Sequence, residues 1–372
     1  MTLSTTQAQA APIKKNYRGP MSRLQSRYGL LMIAPAVFFL LMFLVTPTLM
    51  AFYMSFTNQR LISPNPTEFV GLRNYDRALA LSVIRLPAER DEQGNIQVDD
   101  DGNTEFPRLR TVTRKDEKYK GFRELYSWES DDTKTVLVAK DPIFYKSFYN
   151  TFRFAFMVVP LQVAMALGLA LLINRQMKGV NFFRSVYFAP VVTSMVVVSI
   201  VWSFFFNKDM GLFNRYLEVF SFGLIEGPNW LGDPAYAMKS IVIMSAWQGA
   251  GVQMLIFLAG LQGISKDLYE AASIDGANGW HKFRFITLPG LRNTFVFVVI
   301  ATTIAAFGLY TQVAVMTAGG PVDSTTTVMY HAVRKGQTEQ DMGYGSTITV
   351  IYFAVILIIA LLQKLYFERK GD

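Results

Sequence analysis

The residues of this chain best equipped to hold a ligand carry no charge. Ser245, Gln248 and Gly249 fall in one long apolar run and Thr302 and Thr303 in the next, with Trp247, Gln253, Tyr310 and Gln312 beside them and Thr193 and Ser194 in the run before. Hydroxyls, amides and an indole bind a neutral polyhydroxylated ligand by hydrogen bonding and stacking; none of them is a ready proton carrier near neutral pH. An isolated polar side chain in a membrane ordinarily bonds a neighbouring helix. Grouping on three consecutive runs points instead to a polar cavity near the bilayer middle, and Gly249 and Gly251 let backbone come close to a ligand or another helix. The usual means of catalysis are not in the sequence. There is no cysteine, and the two histidines, His281 and His331, are placed in loops, so no metal cluster is expected. No G-x-x-x-x-G-K-[ST] phosphate loop and no nucleophile–base or paired-carboxylate arrangement is recognisable. The chain is therefore expected to be neither an enzyme nor a nucleotide-binding protein, with no cofactor of its own.

These groups sit in long apolar elements. Hydrophobic residues make up 51% of the sequence and the mean hydropathy is +0.24. Six runs without Asp, Glu, Lys or Arg extend from Tyr28 to Gln59, Phe154 to Asn174, Ser185 to Asn207, Ser240 to Ser265, Asn293 to Val322 and Met342 to Gln363. Each is long enough to cross a hydrocarbon core of about 30 Å. The first is too long for a signal peptide and is expected to remain in the mature protein. Ion-coupled transporters and proton pumps need ionisable groups at membrane depth, and the runs supply none, so any uphill work requires energy from another subunit.

Lys and Arg in short loops set orientation. The N-terminus carries Lys14, Lys15, Arg18, Arg23 and Arg27; the next loops on that side carry Arg175, Lys178 and Arg184, then Lys266, Lys282, Arg284 and Arg292; and the C-terminal tail carries Lys364, Arg369 and Lys370. The opposite short loops carry Lys208 and Arg215, then Arg334 and Lys335. Both termini are expected in the cytoplasm. The net charge of +8 is then a topological bias and not a nucleic-acid footprint.

The fold class expected is an all-α integral membrane protein of six transmembrane helices with a soluble mixed α/β insertion after the first. Residues 1–27 form a basic cytoplasmic tail whose first 20 residues are polar and expected to lack fixed structure, and 28–57 the first transmembrane helix. Residues 58–148 form an extracytoplasmic insertion, and 149–372 a five-helix core. In the insertion, "DEQGNIQVDDDGNTEF" and "TKTVLVAK" read as short strands joined by Asp-Gly turns. In "MGLFNRYLEVF", Leu212, Phe213, Tyr216, Leu217 and Phe220 share one helical face, as in a helix lying at the membrane interface.

One polar, small-residue stretch, "EAASIDGANGWHKFRFITLPG", separates the fourth and fifth runs. Asp267 with Glu270 three residues on has the form of a capping box. A short helix is expected through "LYEAASI", ended by Gly276 in a left-handed conformation, then a second over about 278–286 before "LPG" turns the chain into the fifth span. The outcome is a compact helix–Gly–helix knob with a smooth first face.

The spacing of Glu270, Ala271, Ala272, Gly276, Ile286, Leu288 and Pro289, with Asp275 and Ala277 completing "DGA", resembles the EAA loop of permease subunits of binding-protein-dependent ABC importers. The surrounding "LQGISKDLYEAASIDGA" and the later "TAGGP" resemble the carbohydrate and glycerol-phosphate branch. Ser265 replaces a frequent Pro of that branch, and the insertion is a departure from its pattern. The resemblance implies a bacterial inner-membrane subunit working with a second homologous permease subunit, two ATP-binding cassette ATPase subunits that hold ATP and Mg, and an extracytoplasmic solute-binding protein. It implies that loop 264–290 inserts into an ATPase subunit, and that a ligand site between the fourth and fifth spans uses Ser245, Gln248, Gly249, Thr302 and Thr303. A sugar, an oligosaccharide or a glycoside, is the expected cargo. Glycerol-3-phosphate or a polyol carried by the same mechanism is the near alternative, although the runs hold no cation for a phosphate. A membrane-anchored receptor or scaffold using the insertion is the alternative of a different class.

Overall fold

The computed structural model describes residues 20–369 apart from 92, 94–95, 99–103, 131–132 and 175–178. The N-terminal tail through residue 19, Arg175, Lys178, Lys370 and the Asp-Gly turn near 101 thus lie outside the described residues.

The chain divides into two compact units, Met1–Ala51 and Phe52–Asp372. In the first, the helix Pro20–Leu40 continues through a π turn, Leu41–Val45, into Thr46–Met54. Its described side chains through Ala51 include no buried residue, and Leu31, Met32, Phe38, Phe43 and Leu44 are all half or more exposed. That surface is costly in water and is the one a lipid-facing helix needs.

In the second unit three further helices are long and apolar enough to cross a membrane: Pro142–Ile173, Ala237–Gln262 and Met342–Tyr366. With Arg27–Met54 these make four candidate spans, or six if each of two bent helix pairs crosses once. One pair, Val180–Val192 with Met195–Phe205, turns by 100° at Thr193 and Ser194. The other, Gly279–Gly290 with Arg292–Phe307, turns by 68°. The fifth apolar run therefore ends its helix at Phe307, and a short helix Thr311–Met316 and a turn follow. The second run also differs from expectation, because its helix starts at Pro142, well before Phe154. An Asp-Pro pair explains the early start. Asp141 accepts bonds from the backbone N–H groups of Ile143 and Phe144 at 3.1 and 3.2 Å, and Pro142 is preorganised for the first turn.

Pro142–Ile173 packs against Ala237–Gln262 along most of its length. One half of that seam joins Phe144, Phe154, Val158, Met238, Ile241 and Met244 to Phe307, Tyr344 and Ile348. The other half is built on Val163, Ala166, Ala170, Ala250, Met254 and Phe257, with Leu291 and Val298. Small residues matter here because lipid supplies no hydrophobic drive and helices gain by close approach. Gly251 is the clearest case, since a Cβ there would lie 2.5 Å from the Tyr187 carbonyl oxygen.

Between Met54 and Asp141 the chain builds a three-stranded antiparallel sheet in the order β1-β3-β2, with β1 Leu81–Pro87, β2 Arg123–Ser130 and β3 Thr133–Ala139. Ile84 and Leu86 of β1 and Val136 and Val138 of β3 share one face, as the two-residue strand period requires. Leu109, Val112, Tyr119 and Phe122 cover that face. "TKTVLVAK" is thus the central strand. "DEQGNIQVDDDGNTEF" forms isolated bridges, Arg90 with Ile96 and Val98 with Thr104, and no long strand among its described residues.

The sheet is tied to the last helix at its base. Asn74 donates to the carbonyls of Ser55 and Thr57 at 3.0 and 2.8 Å, and Arg77 pairs with Asp341 at 2.7 Å. Nearby, Asp141 meets His331 Nε2 at 2.8 Å and accepts the Tyr344 hydroxyl at 2.6 Å. His331 is not in a loop: it is fully buried in the helix Val328–Val333. Burial works against the charge of Asp141, but the bond and charge of His331 and the Tyr344 bond outweigh it and hold the carboxyl well below the usual carboxylate range.

Candidate functional site

A cavity of about 170 Å³, lined by polar and apolar side chains in similar measure, Phe154, Val158 and Leu309 among the latter, opens between Pro142–Ile173, Ala237–Gln262 and Arg292–Phe307. Ser245, Gln248, Gly249 and Thr302 line it, as expected from sequence, and Gln162, Met195 and Gln312 join them. Gln162 escaped the sequence reading. Its signal was a lone amide in the second apolar run, and only the packing of that helix onto Gly249 gives it a role: a Cβ at Gly249 would lie 2.2 Å from Gln162 Nε2.

Thr303 does not line the cavity; its hydroxyl donates to the Val299 carbonyl at 2.7 Å. It follows Thr302 by one residue, and on a helix that turns it by about 100° to another face. Trp247 also points elsewhere, packing at a tilt against Trp202 with centroids 5.3 Å apart. That pair borders a mostly apolar crevice of about 600 Å³ beside the Thr193–Ser194 break. Tyr310 packs on Tyr330.

The cavity's polar atoms differ in how free they are. Thr302 donates to the Val298 carbonyl at 2.6 Å and accepts from Gln253 Nε2 at 2.7 Å, so its hydrogen is committed. Ser245 Oγ is buried and bonded to nothing among the described residues. A buried hydroxyl left unbonded costs about 1–3 kcal/mol, and such an orphan in a cavity wall marks a place where a ligand or water bonds.

The second constellation is the loop after Gln262. Ser265 caps its first helix, Lys266–Ile274, by accepting from the Asp267 N–H at 3.3 Å. This replaces the expected capping box, because the helix starts two residues earlier and Asp267 lies in its first turn, where a carboxylate favours the helix dipole. Ser265 thus serves as the cap at a position where the resembling branch often has Pro. The helix ends in a Schellman turn: Ala277 N–H donates to the Ala272 carbonyl at 2.8 Å and Gly276 N–H to Ser273 at 3.2 Å. Gly276 has φ +77°, the left-handed conformation expected of it.

Asn278 caps the second helix through the His281 N–H at 2.9 Å. That helix runs Gly279–Lys282 and continues through a π turn, Phe283–Thr287, into Leu288–Gly290. Tyr269 and Thr287 bond at 2.9 Å, and Lys282 donates to Ser273 at 2.7 Å, locking the two helices together. No residue of Lys266–Ile274 is buried. Glu270, Ala271, Asp275, Gly276 and Pro289 are exposed, and Ala272, Ala277, Ile286 and Leu288 half-buried. Ile274 is 87% exposed, Phe285 69% and Trp280 67%. A rigid knob that holds such apolar groups away from its own core has the make-up of a contact surface.

Among curated proteins the chain is 31% identical to the probable ABC transporter permease protein YurN of Bacillus subtilis, over 68% of this chain and 89% of that one. It is 28% identical to the trehalose/maltose transport system permease protein MalF of Thermococcus litoralis, over 92% of this chain and 94% of that one. Its fold matches a chain of a bacterial ABC transporter that imports the acidic polysaccharide alginate, with a TM-score of 0.65 at 18% identity over 95% of this chain and 99% of that one. Residues 146–371, containing both the cavity and the exposed knob, match the binding-protein-dependent transport system inner membrane components, and the chain belongs to that family.

Proposed function

We propose that this chain is the permease subunit of an ABC importer that carries a sugar, an oligosaccharide or glycoside, delivered by an extracytoplasmic binding protein. ATP hydrolysis in two partner subunits drives it through loop 264–290, and a second permease subunit completes the path. The observation that carries this reading is the knob itself. It is internally braced, holds Glu270 outward with no partner among the described residues, and exposes Ile274, Trp280 and Phe285. A rigid tooth of this kind transmits a partner's movement to the helices it joins, Ala237–Gln262 and Arg292–Phe307, and both of those line the cavity. The cavity's hydroxyl and amide lining suits a neutral polyol. Its 170 Å³ falls below the roughly 300–1,000 Å³ of ordinary ligand sites, so passage of an oligosaccharide requires these helices to part.

The chain has no cysteine, so a single introduced thiol reports topology cleanly. With Ser273→Cys, a membrane-impermeant maleimide is expected to label inside-out vesicles and not intact cells. Labelling of intact cells sinks the cytoplasmic placement of the knob and the docking with it.

Ser245→Ala and Gln248→Ala test the cavity. Each removes about one ligand hydrogen bond, roughly 0.5–1.5 kcal/mol, and is expected to weaken half-saturation of sugar uptake roughly 2- to 10-fold. Thr303→Ala leaves uptake unchanged, because that hydroxyl is spent on its own helix. Equal effects from all three would show that the cavity is not the ligand site.

A further inference from the structure

We propose that a cleft at the base of the sheet insertion binds the headgroup of an anionic phospholipid. The cleft holds about 410 Å³ and is lined by four cations, Arg60, Arg73, Arg77 and Lys140, against two carboxylates, Asp76 and Asp341. Both carboxylates are taken: Asp341 by Arg77 at 2.7 Å and Asp76 by Lys140 at 2.5 Å. Arg60 and Arg73 remain, exposed and without an ion-pair or hydrogen-bond partner for their side chains among the described residues. The cleft therefore presents two uncompensated guanidinium groups, whose planar forks suit a phosphate.

Its position selects the source of the anion. Asp341 immediately precedes the apolar helix Met342–Arg369, and Lys140 lies two residues before Pro142–Ile173. The cleft is thus level with the ends of two candidate spans, the depth at which headgroups lie. The free arginines also have apolar neighbours in the chain, Leu61 and Ile62 beside Arg60 and Leu72 beside Arg73, and these are 56%, 72% and 68% exposed. Phe69, against which Phe56 stacks, is 71% exposed. Apolar side chains around unpaired cations match the acyl boundary and headgroup of a lipid; a dissolved anion has no use for them. Bound lipid would fix the insertion's base to the bilayer at the start of the last helix, whatever the transported solute.

The test uses the full chain, in the complex with which it purifies, delipidated in a neutral detergent. Binding is read by native mass spectrometry and by thermal unfolding on adding phosphatidylglycerol or phosphatidylcholine. Wild type is expected to prefer phosphatidylglycerol and to unfold later in its presence. A cation near an anionic surface is worth roughly a factor of 5, so Arg60→Gln with Arg73→Gln is expected to cut the preference roughly 30-fold. Arg85→Gln, on an exposed position of β1, leaves it intact. Because neither Arg60 nor Arg73 makes a bond that holds the fold, the double variant should match wild type in phosphatidylcholine. An unchanged preference in the double variant overturns the proposal. So does equal protection by dissolved glycerol phosphate, which would make the cleft a solute site.

Discussion

Gly276→Pro is expected to reduce uptake to background while the chain still inserts in the membrane and the ATPase subunit proposed to dock on the knob no longer copurifies. Gly276 has φ +77° and its N–H donates to the Ser273 carbonyl at 3.2 Å. Proline demands φ near −65° and has no N–H. The Schellman turn cannot survive that change, and with it goes the angle between the two helices of the knob. Gly276→Ala separates strain from shape. A Cβ there would meet no heavy atom within 4 Å, so alanine faces only the cost of a positive φ, about 1–2 kcal/mol, and a partial defect is expected. Glu270→Arg tests the surface without disturbing the fold. The side chain is exposed and unpaired among the described residues, and arginine is as good a helix former as glutamate. If Glu270 meets a cation or a row of donors on the ATPase, reversing its charge costs roughly 2–5 kcal/mol of docking. Uptake at the wild-type rate in both Gly276→Pro and Glu270→Arg would refute docking through this loop.

Asp141→Ala is expected to be the most damaging single change to stability. One carboxylate caps Pro142–Ile173 and holds both His331 and Tyr344, two side chains with no solvent exposure. Removing it strands buried groups, at about 3–5 kcal/mol for a broken buried pair, and forfeits a helix cap worth about 1 kcal/mol. The thermal midpoint of the purified protein should fall on the order of 10 °C. Asp141→Asn keeps a capping oxygen and should lose less, and Tyr344→Phe, which removes a single bond, less again. A midpoint for Asp141→Ala within about 2 °C of wild type would show that the network carries little stability. The acid response follows from the direction of the shift. A carboxyl held below its unfolded value near 3.9 contributes fully above that pH and is lost only as pH falls through the lower, folded value. Mild acidification to about pH 5 should therefore leave this contribution whole.

The two predictions differ in how visible their residues are in the sequence. The knob is local: Ala271, Ala272, Gly276 and Asn278 act through backbone conformation and hydrogen bonds within a few residues, so spacing alone locates both helices and the left-handed turn. Even there the cap moved from Asp267 to Ser265, because either residue type can open a helix and only the backbone course selects one. The apolar runs were equally legible, since a membrane helix must satisfy its own backbone bonds over a fixed length. The breaks were not. Nothing in the composition of "PVVTSMVVV" distinguishes a 100° turn at Thr193 and Ser194 from a straight span.

The Asp141 network was missed for a physical reason. Asp141 and His331 are 190 positions apart and Asp141 and Tyr344 are 203, and each looks unremarkable in its own segment. The cavity falls between these cases. Polar residues at membrane depth are few enough to be noticed singly, but which of them face one another depends on helix rotation and on the small residues that let helices touch. So Thr302 lines the cavity and Thr303 does not, Gln162 joins through contact with Gly249, and Trp247 turns to Trp202. From the sequence alone came the apolar stretches and the two helices and left-handed turn of the knob, which depend on near neighbours and on length. The tertiary structure decided everything that depends on which side of a helix meets another, because a rotation of about 100° per residue turns adjacent side chains toward different surroundings.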